Sequence, residues 1–215
     1  MAPNADMPNK AAQFDSFSLA NMVPQAPKNN QQVWRELEEA TRALVTKQKL
    51  DVFVLTGPIF QGKKLKTIGQ GVIVPSAIYK AVYMPKTGAI GAYYAPNDNS
   101  QQVRIVSVCY LEEQLGVNLF PQLTEEQKRN TYKLPLTATA VKANSAIQYS
   151  HWDAESQCAE EVSSEQLKAL QKNFKSGSTQ SSSGSTVKTG TGIDAADQDA
   201  IVKQLVDALL QYILQ

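Results

Sequence analysis

At 215 residues, 42% of them hydrophobic, the chain has room for one domain plus appendages and enough apolar side chains for a packed core. Its formal net charge of +1 singles out no class of partner, and no apolar run approaches the roughly 18 residues that a membrane helix needs. The opening MAPNADMPNK has neither a basic nor an apolar segment, so the chain as given carries no signal peptide. The charge is unevenly spread. Between Gln61 and Arg104 stand six basic residues (Lys63, Lys64, Lys66, Lys80, Lys86, Arg104) and one acid, Asp98, whereas from Asp153 onward nine acids face five lysines. A basic middle and an acidic tail fit a polyanion-binding face beside a tail that avoids it, or equally two solvated surfaces with no partner. Cys109 and Cys158 allow one disulfide. With no C-x-x-C pair and His151 the only histidine, they argue against a zinc site.

To about Ala20 the chain reads as irregular, and Pro24 and Pro27 then exclude a helix interior. Asn29 or Asn30 supplies an N-cap for a helix running to about Gln48, with Val33, Leu37, Ala40 and Leu44 as its buried stripe. Asp51–Thr56 is a short apolar run closed by Gly57-Pro58 and reads as a buried strand. Further strands are expected over Gly69–Val74, Ile78–Met84, Ala89–Ala95 and Val103–Val108. Leu111–Leu115 reads as a short helix stopped by Gly116, and Thr124-Glu-Glu-Gln127 has capping-box spacing. A helix, then strands, then helices is an α+β arrangement. Beyond Leu136 the pattern weakens. Ser164–Phe174 reads as helical, Lys175–Gly192 as a Ser/Thr/Gly linker, and Asp194 as the cap of a last amphipathic helix with Ile201, Leu205, Leu209 and Tyr212 along one face. The organisation expected is a main body over 1–136, a partly helical extension over 137–174, a linker over 175–193 and a helix over 194–215.

The stretch richest in chemistry is Asn21–Arg42, NMVPQAPKNNQQVWRELEEATR. On an ideal helix Asn30, Trp34, Glu38 and Arg42 drift by only about 40° per step and share one broad face. A neutral Asn oxygen flanked by a carboxylate and a guanidinium suits a hard, water-rich divalent cation, which takes few protein ligands. The plain alternative is that Asn30 only caps its helix and Glu38 only faces solvent.

This segment resembles the core motif of the DNA/RNA non-specific endonucleases, the ββα-metal nucleases, which read in outline D-R-G-H, then N-x-x-P-Q-x-x-x-x-N, then W-x-x-L-E and an Arg four residues on. The chain supplies Asn21, Pro24, Gln25, Asn30, Trp34, Leu37, Glu38 and Arg42 at those intervals. The likeness continues through Val54-Leu-Thr-Gly-Pro58, Gly71-Val-Ile-Val-Pro75, Tyr79-Lys80, Ala92-Tyr-Tyr-Ala-Pro-Asn97, Ser107-Val-Cys-Tyr-Leu-Glu112 and Phe120-Pro121, and covers about Met1–Leu123. It implies an α+β ββα-metal nuclease fold with a central antiparallel sheet. It also implies hydrolysis of phosphodiester bonds in DNA and RNA with Mg²⁺ or another divalent cation such as Mn²⁺. By position, Asn30 matches the protein's metal ligand, Glu38 the carboxylate that orients the metal's water shell, Arg42 an arginine facing phosphate, and Asn21 an amide near the centre. Lys63, Lys64 and Lys66 are further candidates to touch nucleic acid. The family's D-R-G-H lies immediately ahead of a segment like Met1–Asp6, so the expectation is that this chain lacks the general-base histidine and the first strands, and that His151 does not replace it. The parent would be periplasmic or secreted. Two other readings stay open: an inactive nucleic-acid-binding module, and an adaptor or homodimer assembled through the C-terminal helix.

Overall fold

The computed structural model describes residues 1–19, 21–160 and 165. The linker and terminal helix expected over 175–215, and all but Glu165 of the helix expected over Ser164–Phe174, lie outside them. Strands β1 (Phe53–Ile59), β4 (Ala77–Met84), β5 (Ala89–Pro96) and β6 (Arg104–Val106) form an antiparallel sheet in the order β1-β4-β5-β6. Helix α2 (Arg35–Gln48) covers one face and α3 (Val108–Leu115) the other. Strand alternation divides β4 between them. Ile78, Val82 and Met84 pack with Trp34, Leu37 and Leu44, while Ala77, Tyr79 and Ala81 pack with Val108 and Leu111. Buried on both faces, β4 and β5 tolerate polarity only where it has a task. Lys80 on β4 is the charged residue there, and its parity puts it on the α2 face.

Several local expectations need correction. The N-terminal stretch is not irregular throughout: Asn9 accepts from the Ala12 amide and caps a short helix, α1 (Lys10–Asp15). Strand β1 starts later than expected and runs through Gly57-Pro58. Its first residues are not buried, Phe53 being 59% exposed, because β1 is an edge strand whose only ladder among the described residues is with β4. Gly57 sits there for packing. A Cβ added to it would lie 2.6 Å from the Tyr79 ring opposite, so only glycine leaves room for that ring. The expected strand over Gly69–Val74 is instead the end of a hairpin. Strands β2 (Thr67–Ile68) and β3 (Val72–Ile73) pair across Gly69 and Gly71, which take φ of 52° and 100°.

Other signals translate directly. Ser107 caps α3 and Gly116 ends it at φ 65°, and Thr124 and Gln127 form the capping box of α4 (Glu125–Arg129). Residues beyond 136 close onto the same body. Val141 joins the core beside Leu44 and Leu134, and β7 (Asn130–Tyr132) pairs with β8 (Tyr149–Trp152). The segment 153–160 is strapped across α3 and α4. Ser107 donates to Asp153, Arg129 donates to the Asp153 and Ser156 carbonyls, and Cys158 is joined to Cys109 by a disulfide.

That bridge spans a sequence separation of 49 residues. Removing the loop-closure constraint from the unfolded chain costs up to about 4 kcal/mol on the chain-entropy account. Reduction, or Cys109→Ser with Cys158→Ser, is therefore expected to lower the thermal midpoint by several degrees while leaving the Asn30 end of the molecule intact. An unchanged midpoint under reductant would show the bridge to be dispensable.

Candidate active site

The site is built from the loop that leads into α2. Pro24 and Pro27 stiffen the loop, and Asn97 at the end of β5 ties it down. The Asn97 side chain accepts from the Ala26 amide at 2.8 Å and donates to the Pro24 and Pro75 carbonyls, each at 2.9 Å. Asn29, 1% exposed, donates to the Pro96 carbonyl at 2.6 Å and accepts from Gln25 at 2.5 Å. These bonds fix where the helix begins. Its first turn is a π-helical one, Asn29–Trp34, with no side-chain cap. The expectation that Asn29 or Asn30 caps the helix therefore fails. Asn29 is spent on the sheet, whereas Asn30 is held among the described residues through its backbone N–H, which donates to the Ala26 carbonyl at 2.9 Å.

The Asn30 side-chain amide makes no hydrogen bond to any of the described residues, and the Glu38 carboxylate has neither a hydrogen bond nor an ion pair among them. Both line one pocket of about 140 Å³, with Asn21 and Trp34 in its wall. Trp34 is 4% exposed and belongs to the core, so it separates Asn30 from Glu38 as packing rather than as a ligand. Asn21 is heavily committed. Its side chain accepts from the Ala2 amide at 2.6 Å and donates to the Ala2 and Ser16 carbonyls at 2.9 and 2.7 Å. Its backbone carbonyl accepts from the Met1 ammonium at 2.5 Å. Asn21 thus holds the N-terminal arm against the pocket.

Arg42 stands one turn beyond Glu38 and pairs through Nε with Asp6 at 2.5 Å. Glu38 and Asp6 also line a neighbouring cavity of about 590 Å³ with Asn21, Thr56 and Lys80. Burial pushes the Glu38 carboxyl above the usual range, opposed chiefly by the positive charge of Lys80. Burial likewise pulls the Lys80 ammonium below its usual value, opposed by Glu38 and then Asp6. The two groups therefore favour each other's charged form across the cavity. Lys64 and Lys66 line a different depression, beyond Ala26 and Pro27, of about 710 Å³ with Asn97, Asp98 and Asn99; Lys63 is exposed beside it. The structure brings Asn21, Asn30 and Glu38 to one pocket; Arg42 does not line it and reaches the neighbouring cavity through its partner Asp6. Nor does the structure bring the three loop lysines to that pocket.

Asp6 and Lys80 are the site neighbours that sequence reasoning did not single out. Asp6 gives no local signal. Lys80 gives one: a lysine at the centre of an otherwise apolar strand has to be explained by something it faces.

Uncommitted oxygens on Asn30 and Glu38 suit a hard hydrated cation held by few protein atoms. Among the described residues no group of three or more His, Cys, Asp or Glu is placed to hold a metal ion by itself. His151, on β8, is exposed and bonded to Ser150 Oγ, away from this pocket.

The sequence profile of DNA/RNA non-specific endonucleases matches residues 1–126. The zebrafish (Danio rerio) protein named Nuclease EXOG, mitochondrial, is 35% identical over 148 residues, covering 59% of this chain and 43% of that protein. Human Endonuclease G, mitochondrial, is 34% identical over 102 residues, covering 41% and 34%. A protein named Nuclease from Nostoc sp. is 30% identical over 141 residues, covering 58% and 50%. The chain thus spans a third to a half of the length of these relatives. Two of the names place those proteins in mitochondria, whereas the sequence reading put the parent in the periplasm or outside the cell.

Proposed function

Since the chain belongs to the DNA/RNA non-specific endonuclease family, we propose that it carries the cation- and phosphate-handling part of a nuclease that hydrolyses phosphodiester bonds in both DNA and RNA. One observation carries this reading: Asn30 and Glu38, eight residues apart, present uncommitted oxygens to a single pocket, while their neighbour Asn29 is fully used by the fold.

Asn30 supplies the protein ligand to a Mg²⁺ or Mn²⁺ ion, and Asn21 keeps the N-terminal arm against the same pocket. When bound, the ion stabilises negative charge on the phosphate and the departing 3′ oxygen. Glu38 accepts hydrogen bonds from water beside it and fixes that water's orientation. It does so as the carboxylate, a form that burial disfavours and the Lys80 charge favours. Arg42, whose Nε is taken by Asp6, offers its terminal amino groups to a phosphate oxygen. Lys63, Lys64 and Lys66, around a separate depression, meet phosphates farther along the nucleic-acid strand. Contacts of this kind read the backbone rather than base edges, which accounts for indifference to sequence and to sugar. The compartment is one oxidising enough to keep Cys109 and Cys158 joined.

None of the residues lining this pocket is a histidine. The base that takes the proton from the attacking water belongs at the Met1 end of the pocket. The direct test is to compare the chain with one extended by Asp-Arg-Gly-His ahead of Met1, on plasmid DNA and on RNA. In Mg²⁺ the extended chain is expected to cut both at least about a hundredfold faster than the unextended one, the lower end of what a positioned general base contributes. Chelation should abolish the cutting. If the extended chain binds DNA in Mg²⁺ and cuts neither substrate, the binding-module reading replaces this one.

A further inference from the structure

Lys80 is 2% exposed, yet its ammonium is poorly provided for. Of its three donors, the described residues engage one, in a long 3.3 Å hydrogen bond to Thr56 Oγ1. The nitrogen also lies 5.2 Å from the centre of the Trp34 ring, a cation–π contact that leaves the N–H groups unspent. No carboxylate of the described residues stands within ion-pair distance: Glu38 and Asp6 act on Lys80 only across the cavity, and Asp6 is already paired with Arg42. A buried cation in this state is costly unless an anion joins it.

The space for one is present. Lys80 and Thr56 open together on the cavity of about 590 Å³, whose remaining wall includes the apolar side chains of Met22, Val23 and Leu55. Asn21 and Glu38 belong to this cavity and to the Asn30 pocket alike, so the two are contiguous. An anion seated on Lys80 would have the ammonium's charge, against the opposing Glu38 and Asp6 carboxylates of the same cavity, and an apolar surface beside it for a sugar or a base. We propose that Lys80 and Thr56 form a phosphate subsite that takes a phosphate of the substrate strand flanking the one being cut. That the phosphate belongs to nucleic acid rests on the nuclease reading above; that Lys80 binds phosphate does not.

The test uses the full chain in EDTA, so that no cation can hold the anion at Asn30. Thermal midpoints are followed against inorganic phosphate, with sodium chloride at matched ionic strength as control. Phosphate is expected to raise the midpoint of the wild type and of Lys80→Arg above the chloride control. In Lys80→Met the dissociation constant derived from the titration should rise about tenfold, the scale of one charge-assisted hydrogen bond. Thr56→Val, which keeps the charge, should weaken phosphate about threefold, and it decides the matter if Lys80→Met does not fold. No rise in the wild type beyond chloride overturns the subsite, as does the same rise in Lys80→Met or, where that variant fails, in Thr56→Val. Cleavage is not read here. Failure of the nuclease reading shows separately, as absent hydrolysis by the histidine-extended chain with the phosphate effect intact.

Discussion

Asn30→Ala in the histidine-extended chain is expected to slow hydrolysis of DNA and RNA by about a hundredfold to a thousandfold, the range seen when a single group that stabilises transition-state charge is removed. The thermal midpoint in EDTA should hardly move. Both expectations follow from how Asn30 is placed. Its side-chain amide makes no hydrogen bond with the described residues and is exposed at the mouth of the pocket, so truncation removes no contact that the fold uses. Asn29→Ala supplies the contrast. Asn29 is buried, and losing its bonds to Gln25 and Pro96 should cost about 1–3 kcal/mol of stability. The pair of variants separates a ligand from a strut. Hydrolysis at the wild-type rate in Asn30→Ala would remove this residue from the chemistry. A collapse of its midpoint would show that its role is structural.

Lys128→Met is expected to destabilise the protein by about 3–5 kcal/mol, the cost of leaving a buried charge without its partner. Lys128 and Glu112 are both completely buried and lie 3.1 Å apart, with Asn118 as a further acceptor for the ammonium at 2.8 Å. Glu112 also accepts from the Leu119 and Ala159 amides. One carboxylate therefore joins α3, the turn after it, α4 and the 153–160 strap that carries Cys158. Removing the lysine strands the carboxylate in the interior, where water cannot replace the lost charge. Adding Glu112→Gln keeps an acceptor for those amides and deletes the stranded charge, so the double variant should regain part of the loss. Urea unfolding of both variants measures this. If the single variant loses less than about 1 kcal/mol, the pair is dispensable and the strap is held by the disulfide and the Ser107, Asn118 and Arg129 bonds.

The main elements were legible where they depend on neighbouring residues alone. Leu37, Ala40 and Leu44 recur at helical spacing and are buried as that spacing requires. The capping box at Thr124 and the glycine stop at Gly116 also translate directly into geometry. Expectations failed where a distant partner decides. Gly57-Pro58 looks like the end of a strand, but β4 pairs straight through it, and Tyr79 lying across Gly57 is the reason for the glycine. Asn29 looks like a cap because caps are often Asn. A carbonyl of β5, far along the chain, claims its side chain instead.

The feature that carries the function divides in the same way. By itself the sequence determined the family, the α+β class, and the presence of Asn30, Glu38 and Arg42 on one helix, because spacing on a helix is a local property. Only the tertiary structure decided which of these groups are free. Hydrogen bonds from β5 consume Asn29 and leave Asn30 open; Asp6 engages one nitrogen of Arg42; and Asn21 is spent on the N-terminal arm. The structure also brought Lys80 on β4 opposite Glu38 on α2 across one cavity, a meeting that requires the sheet and the helix to be packed together. Whether a polar group can act on a ligand depends on what else satisfies it, and its competitors here come from residues distant in the chain.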